Sequence, residues 1–180
     1  IGIIDAENDI NFIDCNGLIL THGFCDLHVH FRDPGNGDKE TLKSGCESAL
    51  AGGFTRVCTM PNTEPPIDSP ELINYIIENA KNLPVHIHPI GSVTKGQAGL
   101  EISEMGLMIE SGAVAFSDDG LPIQNGLVMR KALEYSKMFN VPIINHAEDD
   151  CLRANGLMNE GIVSTKLGLS GNPNIAESIM

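Results

Sequence analysis

The sequence has 180 residues, 42% hydrophobic and 19% charged, a globular composition that excludes a disordered chain. Its formal net charge of -13 and pI near 4.7 exclude a nucleic-acid or anionic-membrane partner, since such surfaces demand clustered Lys and Arg. No apolar run approaches the roughly 18–20 residues of a membrane span, no basic-then-apolar leader opens the chain, and the five cysteines show no C-x-x-C spacing, so a reduced, cytoplasmic protein is expected.

Residues 1–17, with Asn16-Gly17 as a turn signal, read as a lead-in or the end of a small β domain; the barrel-like part begins at 18. From there, short β-rich runs alternate with longer runs of helical period. Gly23 to His30 predicts a strand, followed by a helix near Lys39 to Ala51 with Leu42, Cys46, Ala49 and Leu50 on one face, ended by Gly52-Gly53. Phe54 to Thr59 is the second strand. Ser69 as N-cap, Pro70 and Glu71 open the next helix, whose stripe is Leu72, Ile73, Ile76, Ile77 and Ala80. Strand Val85 to Gly91 leads to a helix over Leu100 to Ser111, and strand Ala113 to Ser117 to a helix over Leu127 to Phe139. A fifth strand is expected over Val141 to Asn145 and a last helix near Asn174.

Alternating strands and helices imply a parallel α/β sheet. A doubly wound sheet would carry a glycine fingerprint after its first strand. Instead, polar groups recur at strand carboxyl ends: His28 and His30, Asn62, Asp118 and Asp119, and His146. That is the habit of a (β/α)₈ TIM-like barrel of the metal-dependent hydrolase type, of which about five of eight units are present here.

Alternate residues of a strand point the same way, so His28 and His30 can reach one metal ion. Two histidines on a strand can equally be structural, and His86 and His88 repeat the spacing. The second pair lies within a strand ahead of Pro89, without a neighbouring carboxylate or arginine in sequence, and reads as buried or structurally hydrogen-bonded. In Asp118-Asp119-Gly120 a turn or capping role competes with metal ligation; one carboxylate is expected as ligand and the other as a supporting acceptor. His146 follows an apolar strand and leads into Glu148, Asp149 and Asp150, which could orient it. Of the four arginines, only Arg32 stands beside the histidine pair, and its guanidinium fork suits a carboxylate.

The runs Gly23 to Gly35, Ala51 to Thr55, Met60 to Asp68, Ala115 to Gly120, Val128 to Glu134 and Val141 to Asp149, in this order, closely resemble the dihydroorotases of the amidohydrolase superfamily. The run Met60-Pro61-Asn62-Thr63-Glu64-Pro65-Pro66 is the most specific. The resemblance implies metal ligation by His28, His30, Asp119 and His146, with one or two zinc ions per site. It implies a substrate site at His30, Arg32 and Asn62, the last two binding the substrate carboxylate. It is the branch with a bridging aspartate rather than a carbamylated lysine. The implied reaction is the reversible interconversion of N-carbamoyl-L-aspartate and dihydroorotate in pyrimidine biosynthesis. A homodimer and a complex with aspartate transcarbamoylase are further implied partners.

Members usually carry proline where His22 stands; His22 is not assigned to metal. The family also supplies a histidine ligand after strand six and a catalytic, proton-shuttling aspartate after strand eight. Both are expected beyond Met180, so no residue of these 180 is assigned the shuttle, and this chain alone is expected to be catalytically incomplete. Two rival readings are an allantoinase or hydantoinase, which lacks the Met60 to Asp68 pattern, and a non-catalytic scaffold subunit for aspartate transcarbamoylase, which tends to lose ligands.

Overall fold

Thr41 and Ser44 start the first helix by mutual capping. The Thr41 hydroxyl accepts from the Ser44 N–H at 3.0 Å, and the Ser44 hydroxyl accepts from the Thr41 N–H at 3.0 Å. The helix therefore begins at Leu42, not near Lys39. The computed structural model describes residues 14–180; the expected lead-in over 1–17 lies outside it except for its last four residues. Four parallel strands, β1 (Phe24–Val29), β2 (Phe54–Thr59), β3 (His86–Gly91) and β4 (Ala115–Phe116), form a sheet in sequential order. Between and after them run α1 (Leu42–Ala51), α2 (Pro70–Ala80), α3 (Met105–Glu110) and α4 (Gly126–Met138).

Neighbouring residues of each strand enter different apolar layers. Val57, Phe116 and Ile143 pack with Leu42, Cys46, Ile73, Ile76, Met105 and Met108 on the helix side. Cys58, Met60, Ile90, Ala115 and Ile144 form a second layer on the opposite face. A parallel sheet apolar on both faces must be covered on both, which curling into a half-barrel begins to do. The predicted (β/α)₈ class holds, as a partial barrel.

Several boundaries differ from expectation. In α1, Leu42 and Cys46 are buried and Ala49 is half-buried, but Leu50 is exposed. Gly45 is also on the buried face, because a Cβ there would stand 2.3 Å from the Phe31 ring. Ser69 occupies the N-cap position of α2 without capping a backbone N–H. Its hydroxyl instead bonds Glu71, holding that exposed carboxyl below its usual range.

The helix expected from Leu100 is only α3. Residues 100–103 are taken up by a loop, where Thr94 and Ile102 form an antiparallel bridge and the Ser103 N–H donates to Val93 at 2.8 Å. The α4 helix starts under Asn125, whose side chain accepts from Leu127 N–H and Val128 N–H.

The fifth expected strand, Val141 to Asn145, is reduced to a single parallel bridge between Phe116 and Ile143. Pro142 has no N–H, and β4 offers only two residues to pair with. Beyond it lie α5 (Asp150–Arg153), β5 (Met158–Asn159), α6 (Ile162–Leu167), β6 (Gly171–Asn172) and α7 (Ile175–Ser178). The parallel β5–β6 pair had no warning in the sequence; α7 begins one residue after the expected Asn174. Among the described residues, no helix is long and apolar enough to cross a membrane.

Candidate metal centre

The carboxyl ends of β1, β2 and β4 meet. Val29 pairs with Thr59, and the Met60 N–H donates to the Val29 carbonyl at 2.9 Å, which draws the residues after β2 alongside those after β1. There His28 Nε2 and His30 Nε2 stand 3.2 Å apart. Asp119 Oδ1 lies 3.3 Å from His28 Nε2 and 3.8 Å from His30 Nε2. Donor atoms of the three residues all lie within 4.8 Å of one another.

The donor set fits a divalent ion of the zinc type. Two imidazole nitrogens at about 2.0–2.1 Å from one tetrahedral ion are about 3.3 Å apart, close to what is seen here, and a carboxylate oxygen completes a hard and borderline ligand set. Without an ion, two lone-pair-bearing Nε2 atoms would face each other and a carboxylate. A cation between them would accept all of these lone pairs at once, whereas without one a proton on one Nε2 would have to bridge the pair.

Asp119 reaches the site through an unusual backbone, with φ +51°, in the left-handed region. The corner is held by its neighbour. Asp118 is buried and turns away from the histidines, accepting from Val93 N–H at 2.8 Å, Thr94 N–H at 3.1 Å and the Thr94 hydroxyl. Burial pushes the Asp118 carboxyl above its usual range, opposed by these hydrogen bonds. The two adjacent carboxylates therefore divide as their types allowed: one faces the histidines, the other clips the loop after β3.

Asn62, at the end of β2, lies between His30 and Asp119. Its Oδ1 is 2.9 Å from His30 Nδ1, and its Nδ2 donates to Asp119 Oδ2 at 2.5 Å. Arg32 reaches the same corner, its guanidinium donating to the Asn62 main-chain carbonyl at 3.5 Å. The loop that carries Arg32 is tied down by Glu64 N–H to the Pro34 carbonyl at 3.1 Å and by the Tyr75 hydroxyl to Asp33 at 2.9 Å. The Asp33 hydrogen bond, with some burial, raises the Tyr75 pKa. These anchors had no local sequence signal; Tyr75 is 42 residues from Asp33.

His146 is not brought into the group. Its Nε2 lies 3.4 Å from Glu148 Oε2, a carboxylate shared with Arg153 at 3.3 Å. The acidic neighbour expected to orient it is thus present, while the distance to the other ligands is not closed. His22 also stands apart, against the Gly23 carbonyl. Met180, the residue beyond which the proton-shuttling aspartate is expected, has no part in the cluster either. It is exposed, its thioether has no proton to shuttle, and its sulfur lies 4.0 Å from the Gln124 side-chain nitrogen, which itself bonds the Glu148 carbonyl at 2.8 Å.

Of the control pair, only His88 behaves as structural. His86 is exposed, and His88 Nε2 accepts from the Arg56 guanidinium at 3.2 Å. That arginine is distant in sequence; parallel pairing sets Arg56 opposite His86. Burial, then the Arg56 charge, lowers the His88 pKa. A histidine held neutral adds stability above its unfolded pKa of about 6.5 and loses it as the pH falls. His88→Gln should therefore flatten the decline of the urea midpoint between about pH 7 and about pH 5; an unchanged slope would refute this.

Comparison with known proteins gives the family. The dihydro-orotase-like family model matches residues 17–180. A dihydroorotase of Citrifermentans bemidjiense is 52% identical over 168 residues, covering 93% of this chain and 40% of that protein. One of Geobacter metallireducens is 50% identical over 175 residues, covering 97% and 41%, and one of Aquifex aeolicus is 48% identical over 172 residues, covering 95% and 40%. The chain spans about two fifths of these relatives' length. Among solved structures, the L-hydantoinase (dihydropyrimidinase) of Arthrobacter aurescens superposes with a TM-score of 0.64 over 79% of this chain and 33% of that one. At 24% identity, that likeness concerns the fold. With the strand-end histidines, the Met60 to Asp68 run and the half-barrel in place, the chain belongs to the dihydro-orotase-like family.

Proposed function

We propose that this chain, over residues 18–180, supplies the amino-terminal part of the active-site barrel of a cytoplasmic dihydroorotase that interconverts N-carbamoyl-L-aspartate and dihydroorotate with loss or gain of water. The single observation that carries the reading is the convergence of His28, His30 and Asp119 beside Arg32 and Asn62. Zinc held there would lower the pKa of water to about 7 and polarise an amide carbonyl.

The chain's own residues do the rest. His28 and His30 direct Nε2 atoms, and Asp119 a carboxylate oxygen, to one point. His146 is proposed as a further ligand from this chain on the strength of the family resemblance, although its Nε2 here faces Glu148. Arg32 is the cation of the corner, and its planar fork suits the substrate carboxylate, so that binding energy is turned into orientation of the ring atoms that react. Asn62 stands next to it as the second substrate-side group. The proton-shuttling aspartate is proposed to come from sequence beyond Met180. The reduced compartment agrees with five unpaired cysteines, of which Cys46 and Cys58 are buried and have thiol pKa values raised chiefly by that burial. The family resemblance extends the proposal to a homodimer and to association with aspartate transcarbamoylase, which the mass of the purified whole protein, alone and mixed with that enzyme, would check.

The zinc-loaded whole protein is expected to cyclise N-carbamoyl-L-aspartate and to open dihydroorotate, with little turnover of hydantoin or allantoin. Turnover of hydantoin or allantoin without dihydroorotate would transfer the site to another cyclic-amide hydrolase. No turnover of any of them, with zinc bound, would leave a scaffold.

A further inference from the structure

The carboxamide of Asn62 is the only group that touches two of the three converging residues from outside the cluster among the hydrogen bonds of the described residues. Its orientation is dictated by chemistry. The Asp119 carboxylate can only accept, so the amide nitrogen must face it, at 2.5 Å. The amide oxygen then faces His30 Nδ1 at 2.9 Å, and since an amide oxygen can only accept, Nδ1 carries the proton. A neutral imidazole protonated on Nδ1 has its lone pair on Nε2. Nε2 is the atom that faces His28 Nε2 and Asp119 Oδ1. One side chain thereby sets the tautomer of one ligand and ties up Oδ2 of another, leaving Oδ1 for the histidines. The bonded residues are 32 and 57 positions away in sequence, so this is a cross-link between three strand ends.

We infer that Asn62 is a positioning residue of the metal centre, in addition to any contact with substrate; the inference rests on reading His28, His30 and Asp119 as metal ligands. The two roles are compatible, because the amide nitrogen has a second hydrogen and Arg32 lies on the side of the Asn62 main chain. Substrate anchoring and ligand geometry would then share one amide. Outer partners of this kind are worth about 10–100-fold in metal affinity.

The test uses the whole protein and measures zinc affinity by competition with a chelator, alongside steady-state kinetics. Asn62→Ala is expected to weaken zinc binding about 10–100-fold and to lower kcat. Arg32→Met is expected to raise KM and leave zinc affinity unchanged. If Asn62→Ala behaves as Arg32→Met does, moving KM alone, the inference is wrong and the metal site stands. If His28→Ala retains full zinc affinity, the metal-site reading itself fails and the inference with it. A measurement on the unaltered protein covers the case in which Asn62→Ala does not fold: nitrogen-15 spectra of the His30 ring should show the Nδ1–H tautomer, and an Nε2–H tautomer overturns the inference.

Discussion

The whole protein carrying His28→Ala and His30→Ala together is expected to lose its bound zinc and to fall in kcat/KM for carbamoyl-aspartate cyclisation by about 10³-fold or more, some 4 kcal/mol of transition-state stabilisation. The two Nε2 atoms are 3.2 Å apart and share Asp119 Oδ1, so the double variant removes two of the three converging donors and leaves a carboxylate that binds zinc weakly alone. His28 is half-exposed and His30 only partly buried, so their truncation costs little packing, and loss of metal is separable from loss of fold. Circular dichroism should stay unchanged while metal analysis of the dialysed protein drops. Retention of stoichiometric zinc in a folded double variant would move the centre elsewhere.

A different outcome is expected one residue before the third ligand. Asp118→Ala removes the acceptor of Val93 N–H, Thr94 N–H and the Thr94 hydroxyl, all buried. Each buried donor left without a partner costs about 1–3 kcal/mol, so the two backbone groups alone predict a stability loss of roughly 2–6 kcal/mol. The same change should loosen the corner that holds Asp119 at φ +51° and weaken zinc binding as well. Urea unfolding and chelator competition on the same preparation would read both. A midpoint within error of the parent protein would show that the clip adds nothing to stability. Asp119→Asn is the useful contrast, because the carboxylate accepts only one bond outside the cluster, from Asn62, and asparagine tolerates the left-handed backbone of this corner while giving up the anionic ligand. It should lose metal with a smaller loss of stability.

Much of this site is legible in the sequence. The strand-end placement of His28, His30 and Asp119 followed from period-two runs ending in polar residues, and the preference for Asp119 over Asp118 came from the resemblance. The reading of His86 and His88 as structural rested on their place within a strand, although Arg56, the partner that explains His88, could not be seen along the chain. Helix starts were misplaced where side chains compete for backbone groups, as at Thr41 and Ser44, and where a loop pairs with itself, as at Thr94 and Ile102. The fifth strand was overestimated because apolar pattern measures burial, whereas a strand also needs a partner ladder, which Pro142 and the short β4 limit.

The sequence by itself determined the order of the first four strands and helices, the family, and the residue types that meet at the strand ends, because these depend on periodicity and on motifs a few residues long. Only the tertiary structure decided which atoms face one another. It turned Asp118 toward Thr94 and Asp119 toward the histidines, put Asn62 between His30 and Asp119, and left His146 beside Glu148. The contacts of Asp118 and Asn62 join groups 24 to 57 residues apart, and Asp119 is aimed by one left-handed backbone angle, neither of which leaves a periodic trace in the chain.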